Sequence, residues 1–246
     1  MAKKSLLFTY LSAQLTRAEM LLMQIELDRD PENLHQFRVA LRRSLSVMSV
    51  YIRDGKGLKK RLKPLLKSTN ILREIDVLVM GLDGLKYPTL SSDLKTYRAA
   101  LYKKHWNSEA VAAHLHRLQD MQKTLATMQQ KIPDVMLSET ALTGYKQAIA
   151  LTKKLTPQSR AKQIHKVRIR CKQARYILEF IEESGLHEVE QAIKKCKKIL
   201  NHFGAIQDAT NQLDLLKHFC KDDASAECYR LYKERKEELK RLKKSL

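Results

Sequence analysis

The chain's 246 residues suffice for one large or two smaller domains with a substantial core. Lysine and arginine number 47 against 27 aspartates and glutamates, a formal net charge of +20; such self-repulsion opposes compaction and points to an anionic partner. Aromatic residues make up only 6%, which counts against a single-stranded nucleic-acid binder that stacks bases on rings, and no stretch nears the roughly 18 apolar residues of a membrane span.

Glycine is scarce, and almost every window repeats its apolar residues at the helical period, so the reading is all-α. The opening MAKKSLLFTY lacks the apolar run of a secretory leader, and a first helix is expected over 4–28. Asp30-Pro31 supplies an N-cap and a proline at N1 for a second helix, 31–53. After Asp54-Gly55 a third is expected over 57–82, with Pro64 kinking it or marking its true start. Asp83-Gly84 and Pro88 end it, and a long pattern over 91–131 follows, broken near Trp106. Beyond Pro133 come helices over 138–155, 157–184 (opened by Thr156-Pro157), 187–220 after Gly185, and 223–246 after Asp222-Asp223. The cysteines, Cys171, Cys196, Cys220 and Cys228, form no CxxC and read as reduced thiols in a cytoplasmic protein. A Cys220–Cys228 disulfide is conceivable but not indicated.

The sequence repeats itself. HQFRVALRRSLSVMSVY from His35 matches HKVRIRCKQARYILEFI from His165, aligning His35 with His165, Arg38 with Arg168 and Arg42 with Lys172. Each copy follows a proline-initiated helix start and precedes a lysine-studded helix. Those helices lead to ILREIDVL and FGAIQDAT, which set Asp76 opposite Asp208. The expectation is a duplicated helical bundle in two halves, 1–132 and 133–246.

With successive helical residues turning by roughly 100°, His165, Arg168, Lys172, Arg175 and Glu179 share an arc of roughly 80°. The apolar arc, Val167, Cys171, Ala174, Leu178 and Ile181, lies next to it. In the first copy His35, Arg38 and Arg42 repeat the stripe beside Phe37, Leu41 and Met48; Leu45 replaces Arg175, and Arg43 adds charge on another face. A merely solvating face would lie opposite the core and mix signs. A stripe that borders the core instead lets long side chains lie on packed helices while their heads converge on a shared groove. Recurrence of the spacing favours a site over a solvated face.

Lys59, Lys63 and Lys67, and likewise Lys194, Lys197 and Lys198, flank apolar residues on the following helices and could complete a positive channel. Asp76 and Asp208 read as structural braces that fix the direction of a nearby arginine or histidine. Neither His35 nor His165 has a His, Cys or carboxylate partner at ligand spacing, and His114-x-His116 points its rings apart, so no metal site is assigned.

These residues resemble the CHAD family, the conserved-histidine α-helical domain. The resemblance lies in the paired His-x-x-Arg-x-x-x-Arg/Lys helices at His35 and His165, in Arg175-Tyr176 with Glu179, and in the Arg73–Asp76 and Gln207-Asp208 elements; it runs from about residue 5 to residue 240. It implies two four-helix bundles related by pseudo-two-fold symmetry about a basic central cavity, and inorganic polyphosphate as ligand. No Glu-x-Glu-x-Lys triplet of the triphosphate-tunnel domain often attached to this family is present, so the chain looks like a stand-alone binding domain.

The residues and the resemblance agree on a non-catalytic polyphosphate binder, cytoplasmic and associated with polyphosphate granules, needing no cofactor, metal or membrane. The binding set is His35, Arg38, Arg42, Arg43, Lys63, Lys67, His165, Arg168, Lys172, Arg175, Lys194 and Lys198. Arginines would grip phosphate oxygens with two-pronged geometry and lysines would act as mobile point charges; the histidines would gain charge beside phosphate, so that binding strengthens below about pH 7. The rivals are a nucleic-acid binder, which the charge permits, a polyphosphatase or phosphotransferase with a histidine nucleophile, and a scaffold carrying a protein partner to polyphosphate.

Overall fold

Among the residues described by the computed structural model, 5–53, 55–128, 132–222 and 225–245, there are ten α-helices and no strand. In chain order they are α1 (Leu6–Asp28), α2 (Pro31–Tyr51), α3 (Gly55–Ser68), α4 (Asn70–Met80), α5 (Pro88–His105), α6 (Ser108–Thr127), α7 (Asp134–Thr152), α8 (Ala161–Glu183), α9 (Glu190–Asp222) and α10 (Ala226–Lys244). The all-α expectation holds. The expected helix ends at residues 4, 131 and 246 and the breaks at Asp54 and Asp223 lie outside the described residues.

Local chemistry explains which starts came out as expected. Asp30 caps α2, its side chain accepting from the Glu32 amide at 2.8 Å, with Pro31 at N1. Asn107 caps α6 in the same way, taking the Ala110 amide at 2.9 Å, so the 91–131 pattern breaks beside Trp106. Thr156-Pro157 does not open α8. The Ser159 amide donates to the Thr156 carbonyl and the Ser159 hydroxyl accepts from the Thr156 amide, closing a turn, and the helix starts at Ala161.

The expected 57–82 helix is two helices, and Pro64 is not the break. The proline sits on the exposed side of α3, which runs on for another turn. The interruption falls at Thr69, whose hydroxyl bonds back to the Leu65 and Leu66 carbonyls, both at 3.1 Å. Such side-chain bonds compete with the helical ladder.

The main core runs from Leu7 of α1 to Leu231 of α10 and crosses the division near Pro133 without a gap. Phe180 of α8 packs its ring 4.9 Å from Tyr10 of α1 and 5.7 Å from Tyr51 of α2, and the Tyr51 hydroxyl donates to the Leu137 carbonyl of α7 at 2.7 Å. Truncating so deeply buried a phenylalanine to alanine costs about 3–5 kcal/mol. A smaller cluster of Ala148, Ile164, Val167, Cys171, Ala174, Leu200 and Phe203 joins α7, α8 and α9. The apolar arcs expected for α2 and α8 are therefore buried, and α2 packs directly against α8.

Cys171 and Cys196 are free and buried, but Cys220 and Cys228 are paired as a disulfide between the end of α9 and the start of α10, with Cα atoms 5.9 Å apart. That corrects the expectation of four reduced thiols, and the cysteines no longer argue for a reducing compartment. No helix is long and apolar enough to cross a membrane among the described residues.

Candidate polyanion-binding site

The packing of α2 on α8 turns their basic stripes toward one another. His35, Arg38 and Arg42 of α2 and Arg168, Lys172 and Arg175 of α8 are close enough to perturb one another electrostatically, and Arg73 of α4 joins them beside His35 and Arg38. Asp208 of α9 faces Arg168, Arg73 and Lys172 from the far side. Three helices thus deliver seven basic side chains to one place, and a fourth adds a single carboxylate.

Arg38 anchors the cluster. It is only 7% exposed, and its guanidinium donates to the Leu66 carbonyl at 2.9 Å, to Asn70 Oδ1 at 2.8 Å and to the Thr69 hydroxyl. These are the groups of the α3–α4 break, so the interruption of the helix is what exposes acceptors for the arginine. All three are neutral, so the positive charge is held but not cancelled. Burial, and then Arg42 and Arg73, push Arg38 down to about 9, still protonated at neutral pH.

The side chains of Arg42, Arg73, Arg168 and Lys172 have no hydrogen bond or ion pair among the described residues, and the Arg168 Nε is buried without an acceptor. Lys172 is half-buried. Dehydration, then Arg42, Arg168, Arg175 and Arg38 in that order, bring its ammonium down to about 6. His35 is lowered by burial and then by Arg73, with Glu32 opposing, so the free site holds it further from protonation than expected from the sequence. Asp208 keeps a solvent-exposed face, yet dehydration of its carboxyl outweighs the pull of Arg168, Arg73 and Lys172 and raises it. Cations crowded at a half-buried surface create a local positive field that attracts anions.

The CHAD domain family model matches residues 9–217. The chain belongs to the CHAD domain family. The match stops short of α10, against the expected extent of 5–240. Among solved structures, the CHAD domain from the plant Ricinus communis superposes with a TM-score of 0.69 at 18% identity, covering 96% of this chain and 85% of that one. PptA from Streptomyces chartreusis superposes with a TM-score of 0.68 at 15% identity, covering 98% and 96%. No curated protein matches the sequence.

Within this CHAD fold the sequence-aligned pairs are not equivalent. His165 is exposed and its Nδ1 lies 2.8 Å from Gln207 Oε1, whereas the half-buried His35 has no such partner among the described residues. Asp76 is fully buried and braces Arg98 at 2.6 Å and the Tyr102 hydroxyl at 2.8 Å, not a stripe residue, while Asp208 is in ion-pair contact with nothing described. Arg43 is turned away from the cluster onto Glu179 at 2.9 Å and Glu183 at 3.3 Å. Arg175 also leans on Glu179, at 3.3 Å, so the acid expected within the stripe neutralises part of it.

Lys63 and Lys67 of α3 and Lys194 and Lys198 of α9 are solvent-exposed; Lys194 pairs with Glu190 at 2.7 Å, and Lys63 stands beside Lys59, which also feels Arg170 on the opposite side of α8. Two shallow depressions, along α1 (Thr9, Ser12, Ala13, Thr16, Arg17, Met20) and at the end of α2 (Ser49 to Arg53), contain no stripe residue. Charge, more than concavity, marks the site.

Arg73 joins the cluster although the sequence reading assigns it no place in the binding set. It borders the apolar arc of Leu72, Ile75 and Val79 on α4, the same boundary criterion that picked out the stripes of α2 and α8, and that test would have found it. His114 is instead structural: buried under Trp106 with ring centroids 5.6 Å apart, its Nε2 3.0 Å from the Ser68 hydroxyl. No group of three His, Cys, Asp or Glu side chains placed to hold a metal occurs among the described residues.

Proposed function

We propose that this CHAD protein binds inorganic polyphosphate without catalysing its turnover, holding it across α2, α4 and α8. One observation carries the reading: Arg42, Arg73, Arg168 and Lys172 come together from three helices with no counter-charge in contact. A phosphate polymer offers repeated charge and no bases, which suits cations without stacking rings. Tyr176, beside Arg38 and Arg168, is 2% exposed and covered by Arg175, 4.6 Å from its ring, so it offers no face to a base. The ligand is the one implied by the family resemblance. Arg42, Arg73 and Arg168 would take phosphate oxygens in pairs and Lys172 would act as a point charge between them.

The test is titration with long-chain polyphosphate at two salt concentrations, comparing wild type with an Arg168→Glu/Lys172→Glu variant. The expected result is affinity that falls steeply with salt, by analogy with counterion release from nucleic acids, and that is lost in the variant. Equal binding by both proteins moves the ligand elsewhere. Duplex DNA of equal charge competing on equal terms would favour a nucleic-acid binder, and metal-dependent orthophosphate release abolished by His165→Ala would favour an enzyme.

A further inference from the structure

We propose that polyanion binding at this site is coupled to uptake of a proton by Lys172, so that the ligand itself completes the charge that holds it. The inference rests on the polyphosphate reading above and adds the way the site is regulated.

The geometry of Lys172 sets it apart from the arginines around it. From α2 it is faced by His35, Arg38 and Arg42; on α8, Arg168 and Arg175 lie one turn to either side; from α9 comes Asp208, the single acidic group that acts on it among the described residues. α7 also packs on α8. It has no hydrogen-bond acceptor. An arginine in such a place stays charged, because its proton is held far too tightly to leave. A lysine is the cation that can shed its charge to relieve crowding, and here dehydration and four guanidinium groups push its ammonium in that direction. An arriving phosphate chain reverses both causes. Its oxygens replace the lost water as acceptors, and its charges offset Arg38, Arg42, Arg168 and Arg175. The amine then takes one proton from the buffer and becomes an ammonium; the ligand supplies none, since internal groups of a phosphate chain are already fully ionised.

The two causes also make the site selective. A lone monovalent anion can offset one arginine but leaves the others in force, so it does not restore the proton. A dense polymer offsets all of them together. Linkage then fixes the pH profile: while one proton is taken up per binding event, affinity falls by about tenfold for each pH unit above the free-state titration.

The experiment is calorimetric titration of the full chain with long-chain polyphosphate at pH 8, above the ordinary range of histidine, in Tris and in a sulfonate buffer of different ionisation enthalpy. For the wild type, the difference between buffers should correspond to about one proton taken up per protein. Lys172→Arg, whose charge is fixed, should bind with no buffer dependence and should overtake the wild type in affinity at pH 9. Binding by the wild type without proton uptake overturns the inference and leaves the polyphosphate reading standing, as does equal uptake by Lys172→Arg. No binding by the wild type at pH 7 or 8 removes both. Should the variant fold poorly, the wild-type affinity between pH 7 and pH 9 decides alone, a flat profile overturning the proposal.

Discussion

Arg43 of α2 and Glu179 of α8 pair at 2.9 Å, while the side chain of Arg42, the adjacent residue, has no ion pair among the described residues and lies among Arg38, Arg168 and Lys172. One residue of helix, a rotation of roughly 100°, therefore separates a clasp from a candidate binding group. Glu179 also carries Arg175, and the carboxylate is only 8% exposed, so removing it strands two guanidinium groups beside an already positive cluster. Glu179→Gln should destabilise the fold by about 3 kcal/mol, the scale for breaking a buried pair from one side. Urea unfolding checks this. The same comparison separates the neighbours: Arg43→Ala should lose stability more than polyphosphate affinity, and Arg42→Ala the reverse.

Much of the site was legible because a helix is periodic. Spacing alone places His35, Arg38, Arg42, Arg168, Lys172 and Arg175 on shared helix faces, since the face of a helix follows directly from its sequence. The destination of each charge was not. Arg43 differs from Arg42 only in which element of the tertiary packing lies across from it, and nothing local encodes Glu179 at a distance of 136 positions. The same holds for the lysines of α3 and α9: they border apolar residues and are solvent-exposed, and their spacing alone does not say what they face. The α3–α4 break was mislocated because Pro64 is the louder local signal, whereas the interruption is made by Thr69 with an arginine from another helix.

That interruption yields the second prediction. Arg38 bonds three neutral acceptors with a fixed planar fork, and a lysine has neither the reach nor the shape to satisfy the Leu66 carbonyl, Thr69 and Asn70 together. Arg38→Lys keeps the charge and should still lose about 2 kcal/mol of stability, seen as a lower urea midpoint with an unchanged slope. Its loss of stability should exceed its loss of affinity.

Asp208 works against an anionic ligand. It faces Arg168, Arg73 and Lys172 without touching them, and part of its surface is exposed, so its effect is screened. Replacing it by asparagine removes the repulsion between this carboxylate and a bound phosphate chain. Asp208→Asn should raise polyphosphate affinity by about twofold to fivefold at low salt, with the gain vanishing at high salt. A loss of affinity would mean that the carboxylate orients Arg168.

The sign of the acid response follows from His114. Ser68 donates its hydroxyl hydrogen to the Leu65 carbonyl at 3.0 Å, so the histidine is the donor in its own contact with Ser68, which leaves Nδ1 a bare, buried acceptor. Burial first, and Arg117 second, lower its pKa from the ordinary 6.5. Below that value the unfolded chain binds a proton that the folded chain refuses, so the contribution of this histidine to stability is complete above pH 6.5 and is lost as pH falls toward its folded pKa. His35, lowered by burial and Arg73, shifts stability in the same direction, but in a cluster that a ligand would cover. His114→Phe keeps a ring against Trp106 and removes both the titration and the orphan nitrogen. Thermal unfolding in the absence of ligand should show the wild type losing stability between pH 7 and pH 5 and the variant losing less. Parallel curves would place the acid sensitivity in the α2–α8 cluster, where adding polyphosphate should then suppress it.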